Sequence, residues 1–262
     1  LLLWVCVVVV ATSGFAKKKA HDDEVAWLEN IPHAVSSAES AGKPVLVDIW
    51  AVWCEPCKLM DETTYKDEAV LRAIEGFVPL KVDADLQEMF IEKYEINAYP
   101  TVLILDGKGR EITRLLGMVE APDLLESMDS ILSGYDSYLE TRGAKKNPDA
   151  LESLAEYYVD VRNYGGAADS LRRAIKLLKS AEPARRESAE IRLAETLLTA
   201  GADKQAAKAF ERLAEESSDT EIRGRALAGM VTVNRRQGRD DEAEALLEKL
   251  RDDYPAIAER LN

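Results

Sequence analysis

The sequence predicts an α/β domain followed by an all-α helical array, and three observations carry this. Up to about residue 134, short apolar runs of strand length alternate with stretches of helical spacing. From Tyr135 onward no strand signal occurs, and the chain is rich in Ala, Leu, Glu, Arg and Lys. Within that second part, three stretches align with one another at nearly constant spacing. Charge shifts at the same place: residues 1–134 hold 12 basic and 23 acidic side chains, residues 135–262 hold 22 and 25. The expected division is an N-terminal apolar segment over 1–16, an α/β domain over 22–134 and a repeat domain over 135–262.

Leu1 to Ala11 is apolar without interruption. That run is too short to cross a ~30 Å hydrocarbon layer as a helix, but it fits a signal-peptide core. Gly14 and Ala16 put small residues at the −3 and −1 positions of a cleavage site. Export to a bacterial periplasm is expected, with cleavage after Ala16 or retention as an anchor; a buried strand is the plain alternative. Cys6, inside the run, reads as a bystander. With no initiator Met and no basic leader, the natural chain is expected to begin further upstream.

Then His33 to Ala41 reads as a helix stopped by Gly42 and Pro44, and Val45 to Trp50 as a strand. Cys57 to about Ile74 has helical spacing through Leu59, Met60, Val70, Leu71 and Ile74. Phe77 to Asp83 is a second strand, Leu86 to Tyr94 a helix and Thr101 to Leu105 a third strand. Asp106-Gly107-Lys108-Gly109 is a turn, Arg110 to Leu116 a fourth strand, and Ala121 to Leu132 a closing helix with Pro122 in its first turn. The strand–helix–strand order implies a parallel pair, and the later hairpin adds an antiparallel edge, with helices on both faces.

Whole-chain composition narrows the function classes. A hydrophobic fraction of 47% over 262 residues is enough to build a core. A net charge of −14, with Lys17-Lys18-Lys19 the only basic run, argues against nucleic acid as a partner. Three cysteines are too few for a disulfide scaffold or a four-cysteine zinc site.

The three aligned stretches are Leu154 to Ala174, Leu193 to Leu213 and Met230 to Leu250. Each carries an Ala at one offset (Ala167, Ala206, Ala243), a large apolar residue four later (Leu171, Phe210, Leu247), and an apolar residue three after that. Gly201 and Gly238 fall at the turn within a pair, Arg162 stands where the first turn glycine is expected, and Pro255 closes the third unit. The pattern resembles the tetratricopeptide repeat, in which a small Ala lets two helices approach closely. A surface that docks a protein partner is implied.

The chemistry concentrates in Trp53-Cys54-Glu55-Pro56-Cys57-Lys58, which follows an apolar strand and opens a helix. With no second Cys pair, and with His21 and His33 lacking ligand spacing, no metal site is expected. Cys54 at a helix N-terminus faces unpaired N–H groups and the positive end of the helix dipole, which favour the reactive thiolate. Cys57 lies one turn on, close enough to displace a mixed disulfide. Pro56 suits the first turn, where its missing N–H has no partner anyway.

Here the sequence resembles the thioredoxin superfamily over roughly residues 25–133. The matching residues are Val45 to Ala51 with Trp53, Cys54, Pro56, Cys57 and Lys58; then Tyr99-Pro100-Thr101; then Gly117. The resemblance implies a thioredoxin-like fold, a redox disulfide Cys54–Cys57, and a cis-proline turn at Pro100 that faces the cysteines. It also implies a glycine, Gly117, beside which a substrate chain can lie. Asp48 falls where the family keeps a buried carboxylate, and Lys81 where it keeps a lysine near that carboxylate. Glu55 replaces the usual Gly, and Lys58 to Val70 contains no proline. These departures, with Ala41 to Val45, look more like the C-terminal domain of DsbD-type interchange reductases.

Each of these residues also has a plain reading. Asp48 in an apolar run is costly without a job, so it is expected to accept the Cys57 proton. Lys81, judged alone, reads as an ordinary surface lysine. Trp50 and Trp53 read as packing and rim residues, with Trp53 and Tyr99 beside a bound client. Glu55 is expected to raise the Cys54 thiol somewhat, and Glu55, Pro56 and Lys81 to act as modulators. The expected function is an exported thiol–disulfide oxidoreductase that reduces protein disulfides with no cofactor beyond its own dithiol. Its partners would be disulfide-bearing clients and a membrane electron donor. The superfamily spans about −270 to −120 mV, and a potential near the lower end is expected here. The alternative is an interaction scaffold whose thioredoxin-like domain is mainly structural.

Overall fold

A computed structural model describes residues 24–178 and 182–261. The apolar segment over 1–16, Cys6, Lys17 to Lys19 and His21 lie outside the described residues.

Helix α1 (Ile31–Ala41) starts where Asn30 Oδ1 accepts from the His33 N–H at 2.9 Å, and stops at Gly42. Strand β1 (Val45–Trp50) follows. Strands β2 (Val78–Asp83), β3 (Thr101–Leu105) and β4 (Glu111–Leu116) complete a sheet ordered β2-β1-β3-β4. The pair β1/β2 is parallel, whereas β1/β3 and β3/β4 are antiparallel. The parallel pair sets Asp48 opposite Lys81.

Because side chains alternate along a strand, β1 feeds both faces of the sheet. Val45, Val47 and Ile49 pack with Ala34 and Ala38 of α1 and with Phe90 of α4 (Glu88–Lys93). Leu46 packs on the other face with Met60, Val70 and Leu124. Those three belong to α2 (Glu55–Glu62), α3 (Glu68–Ile74) and α5 (Ala121–Thr141).

Two expectations are revised. The single helix expected from Cys57 to Ile74 is broken: α2 ends at Glu62, a 3₁₀ turn covers Thr64–Lys66, and α3 begins at Glu68. Polar side chains make the break. Thr64 Oγ1 donates to the Val119 carbonyl at 2.7 Å, and Asp67 caps α3 by accepting from the N–H groups of Ala69 and Val70. The closing helix, expected to end at Leu132, runs on to Thr141. Its extension buries Tyr135 and Tyr138.

That extension ties the α/β domain to the stacked helices α6 (Pro148–Asp160), α7 (Tyr164–Leu177), α8 (Pro183–Thr199), α9 (Asp203–Glu216), α10 (Thr220–Arg236), α11 (Asp240–Asp253) and α12 (Pro255–Ala258). Tyr138 packs on Tyr157 of α6 with ring centroids 5.0 Å apart. Its hydroxyl donates to the fully buried Asp106 at 3.0 Å, and Arg142 Nη1 pairs with the same carboxylate at 2.8 Å. Asn163 Nδ2 donates to the Ile112 carbonyl of β4 at 2.7 Å. Leu154, Tyr157 and Val161 share a core with Leu46 and Ile112, so one hydrophobic cluster spans both parts.

The aligned alanines are buried among the stacked helices: Ala167, Ala206 and Ala243 are 0%, 0% and 2% exposed. The three equivalent turn positions all have left-handed backbone, with φ of 60° at Arg162, 76° at Gly201 and 70° at Gly238. Gly adopts this conformation without cost, whereas Arg162 does so at some cost.

Candidate functional site

Strand β1 ends at Trp50, and a short turn delivers Cys54 to the start of α2. Cys54 is the N-cap residue: its Sγ accepts from the Cys57 N–H at 3.2 Å. Cys54 and Cys57 form a disulfide, and each is only 3% exposed. Pro56 occupies the first turn of α2. Glu55 beside it is exposed and ion-paired with Lys58 at 2.6 Å. The N-terminus of α2 therefore aims its unpaired N–H groups and dipole at the Cys54 sulfur.

The rim around the disulfide is apolar and exposed. Trp53 is 60% exposed, held by its Nε1–H donating to Asp85 at 3.1 Å and by an edge-on contact with Tyr99. The Tyr99–Pro100 peptide is cis. The Gly117 N–H donates to the Pro100 carbonyl at 2.9 Å, which joins the cis-proline turn to the end of β4. Gly117 has φ of 79°, and a Cβ built there meets nothing within 4 Å. A polypeptide can lie over that position without a side chain in its way.

Behind the disulfide strand is a buried polar group. Asp48 is 2% exposed and shares the sheet face of Leu46. Lys81 Nζ lies 3.3 Å from its carboxylate, and the Tyr65 hydroxyl donates to it at 3.3 Å. Lys81 also pairs with Asp61 of α2, and its ammonium lies over the rings of Trp27 and Trp50 at 5.5 and 5.3 Å. Burial pushes the Asp48 carboxyl up to about 6; Lys81 pulls it down, and the Asp61 charge pushes it further up. Burial and the same Asp48 charge hold the Tyr65 hydroxyl well above its ordinary range. A carboxyl near 6 can take or give a proton around neutral pH.

Lys81 is thus no ordinary surface lysine: its side chain is 17% exposed and bridges two carboxylates. The strand register explains this, because pairing with β1 turns it inward beside Asp48. Asp61, Tyr65, Trp27 and Asp85 join the site without standing out in the sequence. Only Asp61 carries a signal, being one helical turn beyond Cys57 on the same face. Among the described residues, no group of three or more His, Cys, Asp or Glu converges to hold a metal. Nor is any helix among them long and apolar enough to cross a membrane.

A family model described as a thioredoxin-like domain matches residues 31–132. Residues 31–132 are a thioredoxin-like domain. It is similar to part of the thiol:disulfide interchange protein DsbD of Campylobacter jejuni, 31% identical over 106 residues, which is 39% of this chain and 19% of that protein. The DsbD of Yersinia pestis is 30% identical over 99 residues, 36% of this chain and 17% of its own length. The chain therefore spans about a fifth of the curated relatives it matches. The oxidised C-terminal domain of Neisseria meningitidis DsbD superposes with a TM-score of 0.34 at 24% identity, covering 38% of this chain and 95% of that one. The thioredoxin-like domain thus carries a CxxC disulfide and is similar to proteins named for thiol–disulfide interchange.

Proposed function

We propose that the chain is an exported thiol–disulfide oxidoreductase that reduces disulfides of protein clients. The observation that carries this is Cys54 as the N-cap of α2, disulfide-bonded to Cys57, at an exposed apolar rim. In the reduced enzyme the Cys54 thiolate attacks one sulfur of a client disulfide, and the client's other sulfur leaves as a thiolate. Cys57 gives its proton to Asp48 and attacks Cys54 Sγ, releasing the second client thiol. Two electrons pass to the client, and the enzyme is left with the Cys54–Cys57 disulfide. A dithiol donor must restore it, and in the periplasm that donor would lie in the membrane. The client chain would lie along Tyr99 and Pro100, over Gly117 and against Trp53.

The leader-like segment over 1–16 supports export, and Glu55-Pro56 between the cysteines, without the histidine of oxidant and isomerase motifs, supports the reductive direction. The buried alanines and the recurrent left-handed turns support tetratricopeptide-like units as a protein-binding array. Insulin reduction with dithiothreitol as donor tests the reading. The chain should accelerate it, and Cys54→Ser should abolish the acceleration. Equal rates with and without the protein would refute it.

A further inference from the structure

A groove of about 420 Å³ runs along β4 and α5 and is closed at its far end by the turn between α6 and α7. Leu116 and Met118 form its near end, 59% and 42% exposed, on either side of Gly117 in the chain. Met118 also lines a second trough beside Leu59 of α2 and Thr63 just after it. Gly117, between Leu116 and Met118, is hydrogen-bonded to the Pro100 carbonyl, so the near end of the groove adjoins the cis-proline turn, and its far wall belongs to the helical array.

Its charge is one-sided. Arg114 lends its stem to the lining, but its guanidinium is engaged by Glu111 and by the Tyr94 carbonyl at 2.8 Å. Arg162 is neutralised by Glu126 at 2.8 Å. Asp123 and Asp160, one from each side of the junction, both line the groove and have no cationic partner among the described residues. Arg162 occupies the turn position that is glycine in the other two units, and from it reaches back to Glu126 on α5.

Resting on the function proposed above, we infer that this groove receives the client chain flanking its disulfide and selects a Lys or Arg there. The client's apolar neighbours would cover Leu116 and Met118, and its cationic side chain would reach Asp123 and Asp160. The helical array then contributes to selectivity through the α6–α7 turn, close to the site. Such exposed pairs are worth at most roughly a fivefold rate preference.

The test uses the full chain and a series of disulfide-linked peptides, each with one Lys, or one Glu, at successive positions on either side of the cysteine. Every rate is divided by the same protein's rate on dithiobis(nitrobenzoate), which has no chain to enter the groove. One register should show the Lys preference, and Asp123→Asn with Asp160→Asn should erase it. No Lys preference at any position, or one that survives in the double variant, would overturn the inference. Failure to reduce dithiobis(nitrobenzoate) at all would instead count against the oxidoreductase reading itself.

Discussion

Lys81 places its ammonium 3.3 Å from the carboxylate of Asp48, inside the sheet. The pair is not balanced: burial still lifts the Asp48 carboxyl from 3.8 to about 6. The charged form is therefore disfavoured in the folded protein.

This sets a stability profile. Between pH 3.8 and about 6 the unfolded chain loses the Asp48 proton first, so stability falls as pH rises through that window. The loss is about 3 kcal/mol at most, at roughly 1.4 kcal/mol for each pH unit of the window. Asp48→Asn removes the charge, and Lys81 keeps Asp61 as a partner. Denaturant unfolding of the oxidised variant should show it more stable than wild type by about 2–3 kcal/mol at pH 8, with the gap closing below pH 4. Equal stability at pH 8 would mean that Asp48 is not held against its charge.

Replacing the cation should move the carboxyl further up. In Lys81→Met, Asp48 loses its nearest positive charge, and its titration midpoint should climb by about one pH unit or more. A carboxyl-carbon NMR titration reads this directly. The acid limb of the insulin-reduction profile should rise with it if Asp48 takes the Cys57 proton. A shifted carboxyl with an unshifted rate profile would assign Asp48 to structure alone.

Asp106 behaves oppositely. Burial raises its carboxyl, but the N–H groups of Arg110 and Lys108 and the Arg110 side chain outweigh that and hold it below the usual range. Its stabilisation is present above the unfolded value and is lost as pH falls through the lower, folded one. Asp106→Ala strands Tyr138 and Arg142 as well, and should cost about 3–5 kcal/mol at pH 7. A loss under about 1 kcal/mol by urea unfolding would contradict this role, being no more than an exposed pair contributes.

The run of α5 through Gly134 has its own consequence. A chain cut after Gly134 loses Tyr135, Tyr138 and Arg142, and with them the cap on Asp106. It should melt well below the full chain in circular dichroism. A melting temperature within about 3 °C of the full chain, less than about 1 kcal/mol for a domain of this size, would mean the junction contributes little.

The legible parts of the fold are those fixed by local pattern. The apolar runs of β1 and β3 lie at the expected bounds, and the repeat alanines are buried because small residues at helix crossings have one use. The cis peptide at Pro100 follows from the resemblance, and the N-cap position of Cys54 from the strand-to-helix spacing. The break at Thr63 to Asp67 is hidden because apolar residues at helical spacing flank it on both sides and no Pro or Gly marks it. The break depends on Thr64 reaching Val119, a partner 55 residues away. Lys81 misleads for the same reason: its inward turn comes from pairing with β1, and a lone Lys in sequence carries no sign of that. Asp61 and Tyr65 meet Asp48 and Lys81 only once α2 and the following turn lie over the sheet.

The central claim is that Cys54 attacks client disulfides and Cys57 resolves them, and mass-spectrometric trapping tests it most directly. Reduced Cys57→Ser, mixed with a disulfide-bearing protein such as insulin, should accumulate a mixed disulfide at Cys54. Reduced Cys54→Ser should accumulate none. An adduct on Cys57 in the second variant, or none in the first, would contradict the account.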